Sequence, residues 1–345
     1  MTTGTQPVPP PPRAVEPARV VIEVEDLEKR FRARGRVVEA VAGLGFTVAE
    51  GEVFGLLGPN GAGKTTTMRM LTTLLPIDAG RAVVAGVDVA SHPAEVRRHL
   101  GYVSQAGGAD TLATGWENLF LQGALYGMGR GELAARVPEV LELLDLAELA
   151  ERRVKTYSGG QRRRLDVALG IVHRPEVLFL DEPSTGLDPQ NRANLWDHVR
   201  ALAASGTTVV LTTHYLEEAD QLCDRVVIVD HGRIVAAGTP AALKAEVAGA
   251  TAALGVADPA ARAQAAEIIG EAPGVGELAV VDEELRVRVT GGTAVVPDLL
   301  EALGAHGIAV SSLSIAEPSL DDVFLAATGR SLRDTGAEPT RRGPR

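Results

Sequence analysis

The sequence predicts an α/β fold with a largely parallel sheet, followed by a small α+β domain, and three observations carry that expectation. The stretch "EVFGLLGPNGAGKTTTMRML" runs apolar strand, glycine-rich turn, helix. Val177 to Leu180 and the run ending at His214 are short and continuously apolar, as strands buried on both faces are. Beyond "GRIVAAGTP" the pattern changes to strand, helix, strand, strand, helix, strand and a final helix over residues 249–329.

A chain of 345 residues that is 45% hydrophobic can bury a sizeable core, and its length suggests two domains. No run approaches the roughly 18–20 apolar residues that span a bilayer. "MTTGTQPVPPPPRAVEP" lacks an apolar stretch of its own, so residues 1–18 read as a disordered proline-rich tail rather than a secretory leader. Residues 330–345, which end in "RRGPR", read as a second disordered tail. The single Cys223 can form no intrachain disulfide, which fits a reducing cytoplasm. A net charge of −11 argues against a general nucleic-acid binder.

The glycine-rich turn is the first site. Gly58, Gly63, Lys64 and Thr65 satisfy G-x-x-x-x-G-K-[ST], with Pro59, Asn60, Gly61, Ala62 and Thr66 completing the stretch. The glycines let backbone N–H groups curl around a β-phosphate. Lys64 neutralises β/γ charge, and the Thr65 hydroxyl is a ligand for Mg²⁺. In "EVLFLDEPSTGLD", Asp181 ends a buried strand, placed to hold Mg²⁺ through water, and Glu182 beside it can polarise an attacking water. A lone histidine is usually structural. His214, however, follows an apolar strand, and parallel strands deliver their C-terminal ends to the ligand crevice, which favours a γ-phosphate contact. Gln105 in "YVSQ" follows the same logic, reaching Mg²⁺ or the attacking water. Phe31 in "LEKRF" has two readings, stacking on adenine or packing in the core.

"TYSGGQRRR" is a second site of the same kind. Each glycine costs about 1 kcal/mol in a helix interior relative to alanine. At a helix start, Gly159 and Gly160 instead let backbone N–H groups approach an anion, and Ser158 and Gln161 add a hydroxyl and an amide. Between Gln105 and this turn, roughly residues 106–157, lies a helical insert with Leu133, Val137, Val140, Leu141 and Leu144 at helical spacing. In the last domain, Asp258 and Pro259 start a helix that Gly270 ends, and "ELAVVDEELRVRVTGG" is a hairpin. Val296, Leu299, Leu300 and Leu303 form one helix face; Leu320, Val323, Phe324 and Ala327 form another. The βαββαβ order predicts a ferredoxin-like domain, with Glu317, Asp321 and Asp322 as helix-entry charges.

Taken together these motifs resemble the ATP-binding cassette family. The order is Phe31 (adenine platform), "GPNGAGKTT" (Walker A), Gln105 (Q-loop), "SGGQ" (signature), "LFLDEP" (Walker B with Glu182), "STGLD" (D-loop, Asp188) and His214 (switch histidine). Tyr157 stands where the family's signature has leucine. The resemblance covers residues 19–240 and implies a P-loop NTPase with a RecA-like core, an antiparallel β subdomain and a helical subdomain, followed by the accessory domain over 241–329. It also implies ATP and Mg²⁺ as ligands and Asp188 as a catalytic-interface residue. Two cassettes would dimerise head to tail, each SGGQ covering the ATP of its partner's Walker A. "EPSLDDVFLAATG", "QAGGAD", "ATGWENL", "LYGM" and "YSGGQRRRLDVA" are similar to the daunorubicin/doxorubicin-resistance type of ATP-binding subunit. That likeness implies a drug exporter at the cytoplasmic membrane face. The permease would be a separate membrane polypeptide, which handles the drug and is contacted by "QAGGADTLATGWENL".

Two other classes compete. A cassette ATPase acting on nucleic acid or ribosomes would carry coiled-coil insertions, paired cassettes or zinc cysteines, and the sequence has none of these. A non-hydrolysing sensor is disfavoured by an intact Glu182 and His214.

Overall fold

The sheet that organises the molecule has at its centre three strands, over residues 53–57, 177–181 and 208–213, that are buried along their whole length. The computed structural model describes residues 19–33, 36–247, 249–281, 284–289, 295–316 and 318–329. Both predicted tails, Glu317 and the tip of the predicted hairpin lie outside them. Two long strands come first, Val20–Ala33 (β1) and Arg36–Ala49 (β2), then Val53–Leu57 (β3) and the helix Lys64–Leu71 (α1). Ala79–Val84 (β4), Val87–Asp88 (β5) and Pro93–His99 (α2) lead into Leu100–Val103 (β6). The insert follows as Gly115–Leu125 (α3) and Arg130–Leu143 (α4), and Gly159–Ile171 (α5) returns the chain to Val177–Asp181 (β7). Pro189–Ala204 (α6), Thr208–Thr213 (β8), Leu216–Leu222 (α7), Arg225–Asp230 (β9), Arg233–Gly238 (β10) and Pro240–Glu246 (α8) complete this part.

Among the described residues, β1, β2, β4 and β5 form an antiparallel sheet in the order β2–β1–β4–β5. A six-stranded sheet runs β10–β9–β3–β8–β7–β6, parallel throughout except for β10 at its edge. Alternate residues of its strands feed two cores. Val53, Leu57, Leu178, Leu180, Val209, Leu211, Val226 and Ile228 face the helical side. Phe54, Leu56, Val177, Phe179, Val210, Val227 and Val229 face α1 and the antiparallel sheet. Period-2 alternation is therefore present in space but invisible in hydropathy, because both faces are apolar. Phe46 of β2 stacks on Phe54 at 5.1 Å between ring centroids, tying the antiparallel sheet to the central one.

The insert is helical as predicted, and Leu133, Val137, Val140, Leu141 and Leu144 are all buried in the first of these cores. Thr114 caps α3 in a reciprocal box with Glu117. Tyr157, the residue standing in place of leucine, is buried and donates its hydroxyl to the Leu149 carbonyl at 2.6 Å, so the larger side chain brings its own acceptor.

The C-terminal part comprises Ala250–Val256 (β11), Arg262–Glu271 (α9), Val275–Val281 (β12), Glu284–Val289 (β13), Val295–Ala305 (α10), Val310–Ala316 (β14) and Leu320–Thr328 (α11). Its strands are antiparallel in the order β12–β13–β11–β14, the ferredoxin-like arrangement of a βαββαβ chain. Asp258 caps a 3₁₀ turn over Pro259–Ala261 that leads into α9. Gly270 does not end α9, which runs one residue further. Ala272, at φ −73° and ψ 140°, breaks the helix, because it precedes Pro273 and is pushed out of the helical region. α10 buries Val296, Leu299 and Leu303 in a core of its own. By contrast, α11 turns Leu320, Val323 and Phe324 into the core on the helical side of the six-stranded sheet. Ser319 and Asp322 cap α11 reciprocally, giving one of the predicted entry charges a specific partner. Among the described residues no helix is long and apolar enough to cross a membrane.

Candidate active site

Four neighbouring strands of the parallel sheet, β3, β8, β7 and β6, end at one edge, and each releases one functional segment there. β3 leads into the glycine-rich turn, β8 into His214, β7 into Glu182 and β6 toward Gln105. The tertiary order 3–8–7–6 brings together groups that are scattered over more than a hundred residues of chain. Phe31, Asn60, Gly61, Gly63, Lys64, Thr65, Thr66, Gln105, Glu182 and His214 line one cleft of about 690 Å³, joined by Ala40 and Thr185.

The glycine-rich turn is shaped by backbone. Gly63 caps α1 at φ 107°, and a Cβ there would overlap the Ala40 carbonyl oxygen, so no other residue fits. Lys64 is buried and donates to the Gly58 and Pro59 carbonyls at 2.8 and 3.0 Å. Burial lowers its pKa, opposed by Glu182 and Asp181. Its ammonium lies 3.9 Å from Glu182 Oε1. Phe31 is 38% exposed, so it is a wall of the cleft rather than a core residue, and Lys29 Nζ lies 5.8 Å from its ring centroid.

Asp181 is buried, and its carboxylate is anchored from three elements. Oδ1 accepts from Thr212 Oγ1 at 2.6 Å and Thr65 Oγ1 at 3.0 Å, and Oδ2 accepts from Tyr102 Oη at 3.4 Å. Glu182 follows in a left-handed conformation, φ 47°, unusual for a non-glycine residue. Its backbone N–H is pinned by the Thr212 hydroxyl at 3.0 Å and the Thr212 carbonyl at 3.2 Å. Such a backbone costs on the order of 1–3 kcal/mol and persists where the surroundings over-determine it. The twist aims the carboxylate into the cleft. Oε2 accepts from Gln105 Nε2 and Thr185 Oγ1, each at 3.1 Å, and Oε1 lies 3.3 Å from His214 Nδ1. His214 holds the carboxyl below its usual range, helped by Lys64 and Thr185, against the opposing effect of burial. Glu182 is thus ionised at neutral pH, able to accept a proton from a water.

Thr65, Gln105 and Asp181 present the all-oxygen donor set that suits Mg²⁺. Among the described residues no cluster of three or more His, Cys, Asp or Glu side chains stands ready to hold a metal alone.

The second predicted site lies elsewhere: none of Ser158, Gly159, Gly160 and Gln161 lines the cleft. The Ser158 hydroxyl accepts from the Gln161 N–H at 3.2 Å, and Gln161 Oε1 accepts from the Ser158 N–H at 2.9 Å. The two polar side chains therefore cap α5 as acceptors, which leaves the Ser158 O–H and the Gln161 amide NH2 as donors beside the backbone N–H groups of the turn. Arg163, one turn on, is buried and donates to the carbonyls of Pro183, Ser104 and Asp181 at 2.7, 2.8 and 3.2 Å. Asp188 is also outside the cleft, exposed at the start of α6, where it caps Asn191. Thr185, Thr212, Tyr102 and Arg163 are site residues that sequence reading missed. Thr185, Tyr102 and Arg163 sit inside motifs already quoted and Thr212 in the apolar run ending at His214, but nothing local marks what each of them touches.

Residues 41–185 match the ABC transporter family, which gives the class: an ATP-binding cassette. Residues 238–328 match the family described as ATP-binding protein DrrA1-3-like, C-terminal domain. The chain is 43% identical to the daunorubicin resistance ATP-binding protein DrrA2 of Streptomyces coeruleorubidus, covering 92% of this chain and 98% of that one. It is 44% identical to the daunorubicin/doxorubicin resistance ATP-binding protein DrrA of Streptomyces peucetius, covering 94% and 96% respectively. For the linearmycin resistance ATP-binding protein LnrL of Bacillus subtilis the identity is 37%, over 91% and 100%. A solved ATP-binding subunit of an ABC transporter superposes with a TM-score of 0.58 at 28% identity, over 66% of this chain and 92% of that one. The chain belongs to the DrrA-like family of ABC transporter ATP-binding proteins, and it is an ATPase.

Glu182→Gln is expected to keep nucleotide binding in a fluorescent-ATP titration while losing on the order of 10²–10⁴ in turnover, the usual contribution of a positioned base. Turnover at the wild-type rate would remove Glu182 from the chemistry. His214→Ala withdraws the main influence that depresses the Glu182 pKa. The carboxylate then takes up a proton at higher pH, so the acid limb of the residual kcat–pH profile moves upward. A limb that stays in place would mean that His214 does not act on Glu182.

Proposed function

We propose that this chain energises export of an antibiotic or similar drug through a separate integral membrane subunit, held peripherally at the cytoplasmic face of the membrane. The observation that carries the reading is a separation within one chain: a cleft lined by the glycine-rich turn, and an S-G-G-Q turn that lies outside it with Ser158 and Gly159 exposed. One copy therefore supplies half of each of two sites. Two copies paired head to tail would place the backbone N–H groups of Gly159 and Gly160 against the γ-phosphate held by the partner's Lys64, with Asp188 at the junction. The proposed division is a cassette over 19–240 and an accessory domain over 241–329. The names of the relatives, which specify daunorubicin, doxorubicin and linearmycin resistance, support drug export.

Within the closed site, Phe31 would stack on adenine and the turn from Gly58 to Thr66 would wrap the phosphates. The Lys64 ammonium would exchange its two carbonyl acceptors for phosphate oxygens. Gln105 and Thr185 orient the Glu182 carboxylate, which takes the proton of the attacking water as its oxygen approaches phosphorus. His214 would contact the γ-phosphate. Thr65, Gln105 and Asp181 would hold Mg²⁺, which when bound supplies neutralisation of the phosphate charge.

Contact with the membrane subunit is supported by apolar surface on the insert. Leu112, Leu121 and Leu125 are 70, 60 and 75% exposed, and the last two are one turn apart on α3. Covering such a leucine contributes roughly 1.5–3 kcal/mol. Glu117 is a poor probe of this surface, because it caps α3.

Gly159→Asp tests the pairing. Two unit charges about 4 Å apart repel by roughly 4 kcal/mol at an effective dielectric near 20. The variant should bind ATP at its own cleft yet fail to associate in an ATP-dependent light-scattering assay run in a Glu182→Gln background. Undiminished association would mean that the turn does not read a partner's nucleotide. Leu121→Asp with Leu125→Asp should abolish drug transport in vesicles carrying the membrane subunit while solution ATPase stays within about twofold, as expected for a surface change away from the core. Equal loss of both would assign the two leucines to folding.

A further inference from the structure

The two glycines of the S-G-G-Q turn are small for different reasons. Gly159 is exposed, and a Cβ added there would meet nothing within 4 Å. Gly160 is buried, and a Cβ there would overlap the carboxamide of Asn191 and lie 3.0 Å from Asn191 Cβ. The neighbour is thus a side chain of α6, in the same chain, rather than open space reserved for a ligand. Asn191 is itself held. Its backbone N–H donates to Asp188 Oδ1 at 2.8 Å, and its Nδ2 donates to Asp188 Oδ2 at 2.6 Å. Both oxygens of the exposed Asp188 carboxylate are therefore gripped by one residue, which also holds that carboxyl below its usual pKa.

We infer that Asn191 is a positioning residue that locks the Asp188 loop to the S-G-G-Q turn of the same protomer, so that the two segments approach a partner cassette as one rigid unit. Gly160 is glycine to seat the Asn191 carboxamide, whereas the space where a Gly159 side chain would stand is open. Arg163, one turn further along the same helix, braces it through the carbonyls of Ser104, Asp181 and Pro183. Between them, Asn191 and Arg163 hold the start of α5 to the loop that follows β7, and Arg163 also reaches the segment after β6. The link rests on the head-to-tail reading for its effect on turnover. The contact itself is intrachain and does not depend on that reading.

A double-mutant cycle tests it in the full chain. Gly160→Ala forces a methyl into the carboxamide and is expected to lower kcat about tenfold, an overpacking cost near 1.4 kcal/mol, while fluorescent-ATP affinity stays within about threefold. Asn191→Ala alone should lower kcat several-fold with KM unchanged, because the cleft is intact and only the approach of Asp188 and the turn is loosened. Combined with Asn191→Ala, Gly160→Ala should lose its penalty, returning both kcat and Tm to the Asn191→Ala values. Gly159→Ala should receive no such rescue. Should Gly160→Ala fail to fold alone, recovery of folding in the double variant is the same result. Additive losses in kcat and Tm, or an Asn191→Ala that raises KM and leaves kcat alone, would overturn the inference. A wrong head-to-tail reading shows differently: Tm rescue persists, while Gly159→Asp still dimerises with ATP.

Discussion

Burial of the central sheet on both faces is the constraint from which the site follows. A strand such as Val177–Asp181 has no solvent-facing side, so a polar side chain can leave it only at an end. Parallel pairing then sends the C-terminal ends of β3, β6, β7 and β8 to the same edge. Lys64, Gln105, Glu182 and His214 converge because each lies in the segment that follows the C-terminal end of one of these strands. The antiparallel sheet and α1 cover one face, and the helical insert and α6 cover the other. Deleting either cover would expose a face of apolar side chains rather than merely loosen a domain.

Charge is concentrated at that edge and balanced at short range. Lys64, Asp181 and Glu182 are all buried, and each has its hydrogen-bonding capacity answered by named partners. Removing one partner from such a set leaves the full desolvation penalty on the others, which is why buried polar networks tolerate so little change. The left-handed backbone of Glu182 belongs to the same economy. Thr212 serves both acids, donating its hydroxyl to Asp181 and accepting the Glu182 N–H. A single threonine therefore sets the relative orientation of two carboxylates.

The helix that begins at the S-G-G-Q turn is tied into this edge although the turn points away from it. Arg163 reaches the carbonyls on either side of Glu182, and the Asp166 carboxylate accepts from the Gly108 and Ala109 N–H groups beyond Gln105. Both loops are thus tied to α5 by hydrogen bonds that are buried or partly buried. α11, from the far end of the chain, places Phe324 in the same core, so the C-terminal part is joined to the cassette by packing as well as by sequence.

Sequence by itself determined what depends on local chemistry: the glycine-rich turn, the buried strands ahead of Glu182 and His214, the amphipathic helices of the insert and the βαββαβ alternation. Each is written in adjacent residues, because a turn's torsions, a helix's periodicity and a strand's apolarity are properties of short stretches. The end of α9 was misjudged even at that level, since Pro273 acting on Ala272 outweighed Gly270. Tertiary structure alone decided which separated residues meet. That Phe31 lines the cleft instead of entering the core depends on where β1 lies beside the glycine-rich turn. That Tyr102 reaches Asp181 depends on β6 pairing with β7, and that Gly160 meets Asn191 depends on α5 packing against α6. Such contacts join positions tens of residues apart, and no short stretch of chain carries a signal for them, because the free energy that selects them is released only when whole faces pack.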